Sequence, residues 1–85
     1  MGKAFECQFT AHAVQMLVER RIEREWVDHV LAEPDGVHEK EDGTVHYVGA
    51  IARCGGRVLR VVINPSSEPP RVVTAFFDRR LGRRS

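Results

Sequence analysis

One histidine of this sequence occupies a position where it could act as a base. His12 lies two residues after Thr10, a good N-cap, in a stretch whose apolar residues recur at helical spacing. A helix N-terminus favours neutral imidazole, which can accept the proton of an RNA 2′-hydroxyl group. At about 100° per residue, Arg20 lies on the same side of this helix and could contact phosphate. The competing interpretation is structural, since a histidine at this position often tethers a neighbouring loop.

A second set of candidate residues follows from the predicted strands of the C-terminal half. A two-residue turn at Gly55-Gly56 pairs Ala52 with Leu59 and Ile51 with Arg60. Hydrophobic burial favours this register because it leaves one face of the hairpin wholly apolar. The other face then gathers the polar side chains Arg53, Arg60, Tyr47 and Asn64, with Thr74 if the last strand is in the matching register.

Arginines on a sheet face suit phosphate binding, because a guanidinium offers paired donors and stays charged. The alternative is a solvated sheet face on which the arginine stems cover apolar neighbours.

The elements that must position these residues form an α+β domain. The first helix follows Thr10, and the second carries Trp26 and ends before Pro34. We predict two helices because their apolar stripes do not share a continuous face. The predicted strands cover residues 37–41, 44–53, 57–64 and 71–77, with a hairpin turn at 42–43 and an exposed loop at 65–70. The predicted fold is two N-terminal helices packed on one face of a four-stranded, mainly antiparallel sheet.

Composition limits the class of protein. The 85 residues predict a single domain over 1–85, and 42% hydrophobic with 29% charged residues are typical of a soluble globule. No apolar run is long enough to cross a bilayer, and the start lacks a signal-peptide stretch, so we expect a cytoplasmic protein. Two cysteines and four histidines show no metal-ligand spacing, and we expect neither a metal nor a cofactor.

Charge is divided unevenly along the chain. Residues 1–42 hold five Lys or Arg against ten Asp or Glu, a net charge of −5, whereas residues 43–85 hold eight Arg against two acids, a net charge of +6. Residues 79–85 are predicted to form a flexible basic tail. Its arginines, Arg79 and Arg80 among them, could bind RNA electrostatically, dock an acidic partner or simply aid solubility.

The order of several short motifs resembles a bacterial family known as domain of unknown function 4258. These motifs are "FTAHA" at 9–13, "ERRI" at 19–22, "LAEPD" at 31–35 and the stretch from Arg60 to Leu81 that contains "VVT". The family is distantly similar to the RelE-like and barnase-like folds of small toxin ribonucleases. The resemblance therefore implies RNA cleavage, with an antitoxin as partner.

Carried over to this sequence, the helix histidine of the family is His12, its arginine is Arg20 and its strand threonine is Thr74. Arg21 stands where the family usually has glycine between the helices. Met16 replaces a basic residue found in many members, which removes one phosphate contact.

Two functions are consistent with these observations. The first is a toxin-like, metal-independent ribonuclease that uses His12, Arg20 and Arg60 for catalysis and Arg53, Tyr47, Thr74, Arg79 and Arg80 for RNA binding. The second is a non-catalytic adaptor that binds RNA or a small partner protein through the basic half. A homodimer joined through the short edge strand is a third, structural alternative.

Overall fold

Two helices and a five-stranded mixed sheet form the structure, a computed structural model that describes residues 8–79. The α+β class with two helices is confirmed, but the sheet has five strands rather than four. In chain order the elements are β1 (Gln8–Phe9), α1 (Ala11–Glu19), α2 (Arg24–Ala32), β2 (Gly36–Glu39), β3 (Val45–Ile51), a 3-10 turn (Ala52–Cys54), β4 (Arg57–Asn64) and β5 (Arg71–Phe77). Within the described residues, neither helix is long and apolar enough to span a membrane.

The additional strand is β1, which pairs in parallel with β5 at one edge of the sheet. The strand order is β1-β5-β4-β3-β2, and all other pairs are antiparallel. Backbone hydrogen bonds from Gln8 N–H to the Pro70 carbonyl (3.0 Å) and from Thr10 N–H to the Val72 carbonyl (3.1 Å) hold this strand. A two-residue strand shows no alternation of apolar and polar residues, so the sequence pattern gave no sign of it.

Capping at both ends defines α1. The Thr10 hydroxyl accepts a hydrogen bond from the Ala13 N–H at 3.0 Å. At the other end, the Arg21 N–H donates to the Val18 carbonyl at 3.2 Å and the Ile22 N–H donates to the Leu17 carbonyl at 2.9 Å. This is the Schellman arrangement, in which the residue after the cap has a left-handed backbone. Arg21 adopts that conformation, with φ of 56°. The chain therefore forms two helices, as predicted, although an arginine occupies the position that favours glycine.

The core lies between the two helices and one face of the sheet. From β4, Leu59, Val61 and Ile63 are buried there, the first two fully. The helices contribute Leu17 from α1 and Val30 from α2. At Gly49 an added Cβ would lie 3.3 Å from the Val30 side chain, so the missing side chain lets α2 approach β3 closely.

The predicted pairing of β3 with β4 is wrong by three residues. Ile51 pairs with Arg57 in the structure, not with Arg60, and the connection between the strands is residues 52–56 rather than Gly55-Gly56 alone. Both glycines have positive φ, 72° and 85°, as the predicted turn requires. They form only the second part of the connection, because the 3-10 turn precedes them.

Burial of the larger apolar side chains explains the observed register. Ile51 is buried and Tyr47 packs against the core, whereas Ala50 and Ala52 are exposed. The predicted register would have buried the two alanines instead. Because the hydrophobic free energy scales with the buried apolar area, the register that covers Ile51 and Tyr47 is favoured.

The turn between β2 and β3 forms where the sequence predicted it, at Asp42-Gly43. The Asp42 carboxylate accepts hydrogen bonds from the Thr44 hydroxyl (2.6 Å) and the Thr44 N–H (2.9 Å). These bonds lower the pKa of Asp42 below its ordinary value. At the start of β2, Asp35 accepts a hydrogen bond from the Ala50 N–H at 2.9 Å, which fixes the "PD" segment against β3.

Candidate functional site

A charged pair lies on the face of the sheet opposite the helices, here called the far face. Its residues include His46, Val48, Arg60, Val62, Thr74 and Phe76. The Arg60 guanidinium contacts the Asp78 carboxylate through two nitrogens, at 2.8 and 2.9 Å. Their side chains are only 13% and 5% exposed, and the Asp78 N–H is fixed on the Val58 carbonyl at 2.8 Å. Little water reaches these groups, so each charge depends on the other for its stabilisation.

His46 completes this cluster. Its Nδ1 lies 3.0 Å from a terminal nitrogen of the Arg60 guanidinium. Burial lowers the pKa of His46, and the positive charges of Arg60 and Lys40 lower it further. Because a guanidinium can only donate, the imidazole nitrogen must accept, which assigns the proton to Nε2. The neutral ring can therefore donate from Nε2 to a ligand that reaches the far face.

A second imidazole belongs to the same face of the sheet. His38 lies directly opposite His46 in the β2–β3 register and is exposed. Neither histidine was assigned a role from the sequence, because the histidines are too dispersed along the chain to bind a metal. Within residues 8–79, no group of three or more His, Cys, Asp or Glu residues could hold a metal ion.

The structure separates the polar residues that the predicted register had gathered. Arg60 and Thr74 do lie on the far face, where Thr74 is opposite Val62. Tyr47 instead packs against the helix side of the sheet, and Arg53 lies exposed in the 3-10 turn. The prediction that Tyr47 and Arg53 share a face with Arg60 is therefore wrong, because the observed register differs from the predicted one by three residues.

The predicted catalytic residues do not converge either. His12 is exposed near the start of α1, and Arg20 is eight residues away at its other end, about 12 Å along the axis. The Arg20 guanidinium donates to the Ala75 carbonyl at 2.9 Å and lies 5.9 Å from the ring of Phe76. It thereby satisfies a backbone acceptor of β5. Arg60 is on the far face, so these three residues do not form one site as they stand.

A cleft of about 640 Å³ lies beside the connection between β3 and β4. The Arg57 guanidinium carbon lies 4.2 Å from the centroid of the Phe77 ring. Asp78 is the one acidic residue among the described residues that line the cleft, and its carboxylate pairs with Arg60. The lining residues are Cys54, Gly55, Arg57, Val58, Phe77, Asp78 and Arg79.

Three exposed arginines at or next to this cleft are here called the basic rim: Arg53, Arg57 and Arg79. Arg57 and Arg79 line the cleft, and Arg53 adjoins its Cys54 wall. Among the described residues, none of the three makes an ion pair with an acid. Arg80, which the sequence analysis grouped with Arg79, lies with the rest of the predicted tail outside the described residues.

Sequence reasoning missed four residues of these sites: His46, Arg57, Phe77 and Asp78. No local pattern distinguishes them, since each acquires its partner through strand pairing. Of the four, only Asp78 could have been suspected of a role from the sequence, because it is a single acid between an apolar strand and several arginines.

Comparison with known proteins gives one match. A family model described as a domain of unknown function (DUF4258) matches residues 9–77. The search of curated proteins and the search of solved structures find no match to this chain.

Proposed function

We propose that this chain, which belongs to the DUF4258 family, binds RNA through the basic rim of Arg53, Arg57 and Arg79. The observation that carries the proposal is the state of charge around the cleft. Arg57 and Arg79 line it, while the carboxylate of Asp78 is already engaged by Arg60. The rim therefore keeps positive charge for an external anion.

The chemistry of the rim suits a phosphate backbone. Each arginine can donate two parallel hydrogen bonds to one phosphate and remains charged at any physiological pH. Contacts of this kind release counterions, so affinity falls steeply with salt, with a slope of about −0.7 per neutralised phosphate for single strands. Three arginines thus predict a slope of about −2 in a plot of log K against log salt.

Fluorescence anisotropy of a labelled single-stranded RNA, titrated with protein at several salt concentrations, tests this function. We expect Arg57→Glu and Arg79→Glu each to weaken binding at low salt and to reduce the slope. Arg71→Glu is the matched control, because Arg71 is also exposed but lies at the opposite end of β5. No binding of RNA by the wild-type protein at low salt, or equal losses in all three variants, would contradict the proposal.

A toxin-like ribonuclease is the second candidate function, and the far-face cluster favours it. Metal-independent RNA cleavage needs a base for the 2′-hydroxyl proton, together with hydrogen-bond donors and positive charge near the scissile phosphate. His46 and Arg60 are in contact there, with Thr74 on the same face. The distant resemblance to RelE-like and barnase-like toxin folds, which was expected from the sequence motifs, would imply the same activity. In this proposal His46 donates from Nε2 to the phosphate beside the Arg60 guanidinium, whereas the base role given to His12 stays a prediction.

Cleavage is tested by incubating purified protein with cellular RNA and comparing His46→Asn with His12→Asn. If the far face is the active site, His46→Asn abolishes cleavage and His12→Asn retains it. The reverse pattern would return the active site to α1. RNA that remains intact with the wild-type protein would eliminate the ribonuclease and leave only the binding function.

A further inference from the structure

Three side chains form a continuous series of contacts from α2 to the edge of the cleft. The rings of Trp26 and Phe77 meet edge to face, with centroids 6.1 Å apart and an interplanar angle of 61°. Phe77 in turn carries the Arg57 guanidinium, 4.2 Å from its centroid. Trp26 and Phe77 are half-buried and pack against the core, whereas Arg57 is exposed. The stack therefore fixes a surface cation through two anchored aromatic rings.

Arg57 differs in this respect from the other two arginines of the basic rim. Among the described residues, neither Arg53 nor Arg79 has a comparable contact with an aromatic ring. A guanidinium held on an aromatic ring loses less conformational freedom when a ligand binds. Because Arg57 also lines the cleft, the side of the guanidinium away from Phe77 is available to a flat ligand group.

We infer that the Arg57–Phe77 stack is a platform for an unpaired nucleobase, so that the domain prefers single-stranded RNA. This inference rests on the proposed RNA-binding function and names its substrate class. Unstacked bases of single-stranded RNA commonly stack on arginine planes as well as on aromatic rings. A base placed on Arg57 would extend the Trp26–Phe77–Arg57 series by one layer. The bases of a duplex are already stacked and cannot enter such a series.

The Arg57→Lys variant separates stacking from charge. It keeps the positive charge but lacks the planar guanidinium on which a base can stack. Arg53→Lys is the matched control, because Arg53 is an exposed arginine of the same rim without the aromatic contact. Both exchanges are at exposed positions, and circular dichroism verifies that the variants are folded.

The experiment measures binding of three probes of equal length: a single-stranded RNA, an abasic ribose–phosphate chain and an RNA duplex. We expect the wild-type protein to bind the single-stranded RNA about tenfold more tightly than the abasic chain, a typical effect of one stacked base. Arg57→Lys should bind these two probes equally while keeping the salt dependence. Arg53→Lys should keep the tenfold preference.

The outcomes distinguish this inference from the proposed function. Equal binding of RNA and abasic chain by the wild-type protein overturns the base platform but leaves phosphate binding intact. The platform is also overturned if Arg57→Lys keeps the preference for single-stranded RNA over the abasic chain, or if both lysine variants lose it. Tighter binding of the duplex than of the single-stranded RNA overturns it as well. No binding of any probe at low salt overturns the proposed function and the platform together.

Discussion

The two faces of β4 are stabilised in different ways. On the helix side, Leu59 and Val61 are fully buried among apolar neighbours from both layers. On the far face, Arg60 lies between them in sequence and is joined to Asp78 and His46 by polar contacts of 2.8–3.0 Å. The first face needs only apolar side chains of suitable volume, whereas the second needs particular partners at particular places.

This difference bears on function. A nearly buried ion pair loses much of its hydration, and well-packed apolar residues in its place are often equally or more stable. Stability alone therefore gives little reason for Arg60 and Asp78 to be charged. Hydrophobic burial explains the helix side, whereas the charges of the far-face cluster need another reason, and the ribonuclease function is the one that we propose.

The largest effect should come from the helix side of the sheet. Leu59→Ala removes a fully buried side chain, and we expect the free energy of unfolding to fall by about 3 kcal/mol. Urea denaturation followed by circular dichroism measures the change. Val58→Ala, the half-buried neighbour on the far face, should cost less than about 1 kcal/mol. Equal losses in the two variants would remove the distinction between the faces.

Breaking the far-face pair should have the next largest effect. Asp78→Asn leaves the Arg60 charge nearly buried without its counterion, at an expected cost of about 2–3 kcal/mol. Adding Arg60→Met to this variant should recover most of the lost stability, because the unpaired charge is then gone. Urea denaturation measures both variants, and Glu68→Gln, at an exposed acid, is the control. If Asp78→Asn leaves the free energy of unfolding unchanged, the pair contributes nothing to stability.

The helix layer can be strengthened without altering the far face. Arg21 has a left-handed backbone, which costs an L-residue about 1–2 kcal/mol that glycine avoids. Glycine loses more chain entropy on folding, so we expect a net gain of about 0.5–1 kcal/mol from Arg21→Gly. Gln15→Gly, at an exposed position in the interior of α1, should instead destabilise by about 1 kcal/mol. Urea midpoints that fall in both variants would contradict this account of the helix junction.

The smallest effect concerns pH. The pKa of His46 is lowered from its ordinary value of 6.5 by burial and by Arg60, so the unfolded chain binds this proton more readily than the folded one. The contribution of His46 to stability is therefore present above pH 6.5 and is lost as pH falls towards its folded pKa. The urea midpoint of the wild-type protein should fall more than that of His46→Asn between pH 7 and pH 5. An identical pH response of the two proteins would argue against the Arg60–His46 contact.

Much of the secondary structure could be predicted from local sequence. The bounds of β4 and β5 and the Thr10 cap of α1 were predicted correctly, because alternation and capping are properties of about ten neighbouring residues. The register of β3 was not, since the Gly55-Gly56 turn and the burial of Ile51 and Tyr47 favour different pairings. The two-residue β1 carries too short a pattern to be predicted at all.

The candidate sites depended still more on tertiary structure. The sequence by itself determined which residues could carry charge, donate protons or fill the core, and it concentrated arginines in the second half. Only the fold decided that Arg60 meets His46, 14 positions away, and Asp78, 18 positions away, while Arg57 rests on Phe77. These contacts follow from strand register, and register is settled by the apolar area buried across the whole sheet rather than by any local segment.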